Sequence, residues 1–133
     1  MNSDEYANLE RVEATHWYYV AKRAFVREWI RRLRPPAPGD ELLDCGAGTG
    51  RFALEMQALC RTRVLDDHAE ALAMLAARFP ADRVHRLDGD RIPLPDASVQ
   101  YVTALDVLEH IPDDAAALRE FARVLAPGGL CAV

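Results

Sequence analysis

Four residues at alternate positions, Asp44, Gly46, Gly48 and Gly50, stand directly behind a short apolar run in "LLDCGAGTGRF". Glycines at that spacing give up every side chain on one edge of the backbone. They also permit the left-handed conformations a sharp turn needs. Such a bend can lie close against a ligand. The acid at its head repels pyrophosphate and attracts a cation, so an ammonium or sulfonium group suits it better.

Two further acids recur at matching places. Asp66 closes the next apolar run, 20 residues beyond Gly46, with Asp67 beside it. A carboxylate there can accept both hydroxyls of a ribose, or cap the following helix. Asp88 follows the third apolar run, with Asp90 as its neighbour; a carboxylate there can accept an amino hydrogen of adenine, or serve only the loop. An adenosine ligand with a positive tail accounts for all three acids. A dinucleotide does not, because the G-x-G-x-x-G fingerprint counted from Gly46 meets Arg51 in sixth place. The Gly-Lys-Ser/Thr of a P-loop is also absent.

These residues need strands that end together. "ELLDC" (41–45), "TRVLD" (62–66), "DRVHRL" (82–87) and "ASVQYVTAL" (97–105) read as buried strands, and "LCAV" begins a fifth. Between them, 49–60, 69–79 and 113–125 have helical spacing. Strands alternating with helices imply a parallel sheet with right-handed crossovers. In such a sheet the strand ends share one crevice, where ligands bind.

Ahead of the sheet, residues 16–34 repeat Tyr18, Ala21, Phe25, Trp29 and Leu33 at helical steps, and "PPAPG" (35–39) stops the helix. Trp17, Tyr18 and Trp29 are expected as core aromatics on that helix. The chain thus divides into an N-terminal helical segment, 1–38, and a core, 39–133.

The 133 residues carry a net charge of −5, with residues 1–38 at +2 and the rest at −7. That distribution disfavours nucleic acid, which needs clustered positive charge. Arg31, Arg32 and Arg34 are read as the solvated end of a helix, where cations suit its dipole. Cys45, Cys60 and Cys131 show no paired spacing, so neither a disulfide framework nor a metal site is expected. No signal peptide or membrane-length apolar run is present, and the expected location is cytoplasmic.

Taken in order, these motifs resemble the class I S-adenosylmethionine-dependent methyltransferases, in the subgroup whose core reads strand, DxGxGxG, helix. The likeness covers about residues 40–133 and rests on four pieces: "LLDCGAGTGRFALEM", "LDGDRIPLPDASVQYVTALD", "VLEHIPD" and "ALREFARVLAPGGLCAV". It implies an α/β, doubly wound, Rossmann-like, mostly parallel sheet of order 3-2-1-4-5 behind an N-terminal helix. The family's strands six and seven are missing, which suggests a truncated chain.

The resemblance also implies roles. Gly46, Ala47, Gly48 and Gly50 wrap the methionine part of S-adenosylmethionine, with Asp44 near its ammonium. Asp66 or Asp67 holds the ribose. Asp88, four residues before Ile92, is the adenine acid, with Gly89 beside it. Asp106 and Val107 floor the reactive methyl. "EATHWYYVAKR" resembles a segment that covers the cofactor, bringing in Trp17 and Lys22.

For an acceptor that must lose a proton, His110 is the candidate base. The acceptor expected is a small molecule. An exposed fifth strand invites self-association. The alternative is a cofactor-binding module, without catalysis of its own, that needs a partner to complete the sheet.

Overall fold

A computed structural model describes all 133 residues. Two helices come first, α1 (Ser3–Thr15) and α2 (Trp17–Leu33). The alternating core follows: β1 (Glu41–Cys45), α3 (Arg51–Met56), β2 (Arg61–Asp66), α4 (Ala69–Arg78), β3 (Val84–Arg86), β4 (Val99–Thr103), α5 (Asp114–Val124) and β5 (Leu125–Ala132). The five strands form one parallel sheet in the order β3-β2-β1-β4-β5, as the motifs implied.

Successive residues of the central strands supply both faces, as the period of two requires. Leu43, Leu65 and Val102 join Phe121 and Val124 of α5 on one side. Leu42 and Tyr101 join Ile30, Phe52 and Met56 on the other. Val64 packs with Leu75 and Phe79 under α4. This two-sided burial explains why the strands read as unbroken apolar runs.

The N-terminal region departs from expectation. α1 was unforeseen. It begins with a capping box, in which the Asn2 side chain accepts from the Glu5 amide and the Glu5 carboxylate accepts from the Asn2 amide. α2 forms where expected, but the opposite side of it packs. Ile30 is buried against the core, and buried Arg23 makes its ion pair with Glu55 of α3, both carboxylate oxygens 3.1 Å from Nε. That pairing turns the aromatic stripe outward. Trp17 is 74% exposed, Tyr18 45% and Trp29 45%, so none of the three is a core aromatic.

Smaller shifts have local causes. α3 is shorter than the 49–60 pattern, because Gly50 takes φ +79° as its N-cap and residues 57–60 tighten into turns. β5 starts at Leu125, before Pro127, rather than at Leu130, through an irregularity in its register with β4. None of its residues is buried, and its outer edge is unpaired. No helix is long and apolar enough to cross a membrane.

Candidate functional site

The parallel register brings the C-terminal ends of β1, β2 and β3 to one side of the sheet. Asp44 lies opposite Val64, two residues before Asp66, and Asp66 lies opposite Arg86, two residues before Asp88. The Leu87 amide donates to the Asp66 carbonyl, which holds the Asp88 loop beside the end of β2. The three acids therefore stand at or just beyond neighbouring strand ends on one side of the sheet.

The glycine bend follows β1 on that same side. Gly46, Gly48 and Gly50 all have positive φ, at 65°, 56° and 79°. Each glycine is needed for a different reason. A Cβ on Gly50 would meet Leu75 and Phe79 at 2.8 Å, so this residue seats α3 against α4. A Cβ on Gly46 would meet Cγ2 of Val107 at 2.6 Å. On Gly48 it would meet nothing within 4 Å. The bend is thus closed below by Val107 and open above Gly48. Ala47 pins it to β2, its amide donating to the Leu65 carbonyl at 3.1 Å.

Asp44 and Asp66 are buried, at 4% and 6% exposure, yet differently employed. Asp66 is spent largely on the backbone: Oδ2 accepts from the Gly48 amide at 3.0 Å, and Oδ1 from the amides of Asp67 and His68. It shapes the bend and keeps a lone pair on Oδ2. Asp67 is exposed, with the His68 ring 2.8 Å away. Asp44 accepts one hydrogen bond, from the Thr103 hydroxyl at 2.7 Å. Burial pushes its carboxyl up to about 7, with Asp66 and Glu13 adding to the rise and Thr103 and Lys22 opposing it. Burial disfavours its ionised form, which a nearby cation would favour.

Asp106 follows β4 in the left-handed region, at φ +57°, and its carboxylate pairs with Lys22 of α2. The next residue, Val107, supports Gly46. Lys22 is therefore held beside the end of β4. Trp17 is not; its ring stacks on His16, 5.8 Å between centroids, and is otherwise exposed. Asp88 is exposed, with Gly89 (φ +60°) completing its turn. His110 is exposed three residues past Val107, and its ring comes within 4.0 Å of Glu109.

Sequence reasoning missed the contribution of α1. The Thr49 hydroxyl, inside the glycine bend, donates to Glu13 at 2.6 Å. Arg78 pairs with Glu10 and also donates to the Thr49 carbonyl. Tyr6 is buried near Asp66, Asp67 and Glu70, and burial raises its hydroxyl pKa, those acids adding to the rise. α1 thus lies along the bend and α4. Its capping box was the available signal.

A sequence model of the methyltransferase domain matches residues 43–133. The chain belongs to the methyltransferase family. A probable S-adenosylmethionine-dependent methyltransferase of Mycobacterium tuberculosis is 36% identical over 104 residues, 77% of this chain and 38% of that protein. The 27-O-demethylrifamycin SV methyltransferase of Amycolatopsis mediterranei is 32% identical, over 89% of this chain and 49% of that protein. Among solved structures, the S-adenosylmethionine-bound amino pentose methyltransferase from Micromonospora echinaspora superimposes with a TM-score of 0.77 at 27% identity, over 95% of this chain and 53% of that one. The family is the class I, S-adenosylmethionine-dependent one that the motifs resembled, and S-adenosylmethionine is its cofactor. The chain spans less than half the length of the curated relatives it matches.

The residues present fit that cofactor. An added Cβ on Gly48 would meet nothing within 4 Å, a cation would favour the ionised form of buried Asp44, and Asp66 Oδ2 accepts a single hydrogen bond, from the Gly48 amide.

Proposed function

We propose that this chain is the cofactor-binding half of a methyltransferase acting on a small-molecule acceptor. The observation that carries the reading is the juxtaposition of Asp44 and Asp66, both buried, with a glycine bend left bare at Gly48. S-adenosylmethionine, when bound, supplies an electrophilic methyl group. The chain's own contribution is to hold and orient it. Gly46, Ala47, Gly48 and Gly50 line the methionine part, Asp44 faces its ammonium, and Lys22, paired with Asp106, belongs to the helical cover. Asp66 and Asp67 take the ribose hydroxyls, while Asp88 and Gly89 border the adenine. Asp106 and Val107 form the floor at the methyl. His110 takes the proton of an acceptor that must shed one. Residues 1–38 act as the helical cover of this core.

The small-molecule acceptor is supported by the relatives, one named for a rifamycin and one for an amino pentose. Three free thiols suit a cytoplasmic location. Calorimetric titration with S-adenosylmethionine tests the reading, with NAD as the control. Heat with the first and none with the second supports it; a folded sample silent to S-adenosylmethionine contradicts it.

A second reading rests on β5. Its open edge and lack of any buried residue favour a module completed by another polypeptide or by a second copy of itself. Cofactor binding without transfer, together with a dimeric mass in sedimentation, would support that reading. A monomer that turns over contradicts it.

A further inference from the structure

We propose that the cavity between α1, α3 and α4 is a binding site for a small monocarboxylate, held by the Arg51 guanidinium. This site goes beyond the cofactor reading and does not depend on it. The cavity measures about 420 Å³ and is lined by Glu10, Arg51, Leu54, Glu55 and Arg78. That size falls within the usual range for small organic ligands. The lining charges are unequally employed. Arg78 pairs with Glu10 and donates to the Thr49 carbonyl. Glu55 accepts from Arg23 Nε through both oxygens at 3.1 Å and lies 3.7 Å from Arg27.

Arg51 is the cation left over. Its Nε is buried without a hydrogen-bond partner; the only other buried side-chain atom in that condition is the Thr62 hydroxyl. A buried donor without an acceptor keeps its whole desolvation cost. A guanidinium stays protonated in proteins, so it does not escape that cost by losing charge. The donor also selects the ligand. Paired N–H groups on a planar guanidinium form a fork that matches the two oxygens of a carboxylate. Glu10 and Glu55 border the same cavity and would repel a second negative charge, so a monocarboxylate suits it better than a phosphate dianion. Leu54 is the one apolar side chain of the lining and offers contact to a short carbon body.

The test titrates the parent protein with sodium benzoate and follows the Arg51 Nε–H resonance by NMR, assigned through its own backbone. Sodium chloride at matched ionic strength, benzyl alcohol and sodium phosphate are the comparison titrants. A saturable shift with benzoate and none with chloride or benzyl alcohol is expected. Phosphate should bind at least about tenfold more weakly than benzoate. Arg51→Lys keeps the charge and loses the fork. In that variant the backbone amides of Leu54 and Glu55 should report benzoate binding at least about tenfold weaker. No saturable shift in the parent, an equal shift with chloride or benzyl alcohol, or phosphate binding as tight as benzoate would overturn the proposal. So would an unaltered benzoate affinity in Arg51→Lys. Should that variant fail to fold, the four parent titrations decide by themselves.

Discussion

Asp44 and Thr103 face each other across the β1–β4 pairing, and the threonine hydroxyl donates to Asp44 Oδ1 at 2.7 Å. One neutral donor does not offset the burial of the carboxyl, which titrates near 7. Its pKa is raised in the folded state, so the stability it contributes is full below the ordinary carboxylate range and is lost as pH rises through 7. The slope over that window is at most about 1.4 kcal/mol per pH unit. Asp44→Asn removes the slope. In urea titrations the variant should match the parent at low pH and exceed it at pH 8. A parent stability independent of pH between 5 and 8 would contradict this assignment.

A cationic ligand reverses the sign at the same residue. It favours the ionised carboxylate, so binding should release up to one proton near pH 7, and affinity should climb between pH 6 and pH 8. Calorimetry in two buffers of different ionisation enthalpy counts the protons. Asp44→Asn should bind at least about tenfold more weakly and release none.

Gly46 and Gly48 separate packing from ligand space. Gly46→Ala adds left-handed strain and drives a methyl into Val107, costing about 2–4 kcal/mol of stability. Gly48→Ala adds strain alone, about 1 kcal/mol, but its methyl occupies the open side of the bend. Thermal unfolding should therefore rank Gly46→Ala as the worse folder. Cofactor titration should show Gly48→Ala as a poor binder that still folds.

Much of this site could be read from the sequence because its parts are local. Asp44 through Gly50 form one uninterrupted string, and apolar runs announce each strand just before its terminal acid. The pairing of α2 could not be read the same way. Periodicity finds a stripe at Tyr18, Phe25 and Trp29, but not that Arg23 will meet Glu55, 32 positions away, and turn the stripe outward. α1 has only a short apolar face, Tyr6, Leu9 and Val12; its clearer signal was a cap at Asn2 and Glu5. The early start of β5 was hidden by Pro127, Gly128 and Gly129, which read as a stop yet lie within the strand.

Arg123 joins α5 to the loop that carries Asp88 and Gly89 toward β4. It donates to the carbonyls of Ile92 and Leu94 at 2.8 and 2.9 Å, to Asp96 at 2.9 Å and to Glu120 at 2.8 Å. Glu120 also accepts from the Ile92 amide. The guanidinium, above all, holds the Glu120 carboxyl down to about 2. Arg123→Ala should cost about 2–4 kcal/mol and raise hydrogen exchange across residues 88–97. The depressed Glu120 contributes stability above its ordinary range that is lost as pH falls toward 2. The variant should therefore show a shallower acid limb in chemical denaturation.

The most direct test is calorimetric titration of the parent chain and Asp66→Ala with S-adenosylmethionine. One site per chain is predicted in the parent, weakened by about 1–3 kcal/mol when the Asp66 carboxylate and its bond to the Gly48 amide are removed. A folded parent that takes up no S-adenosylmethionine, or a folded Asp66→Ala that binds as tightly as the parent, would contradict the account.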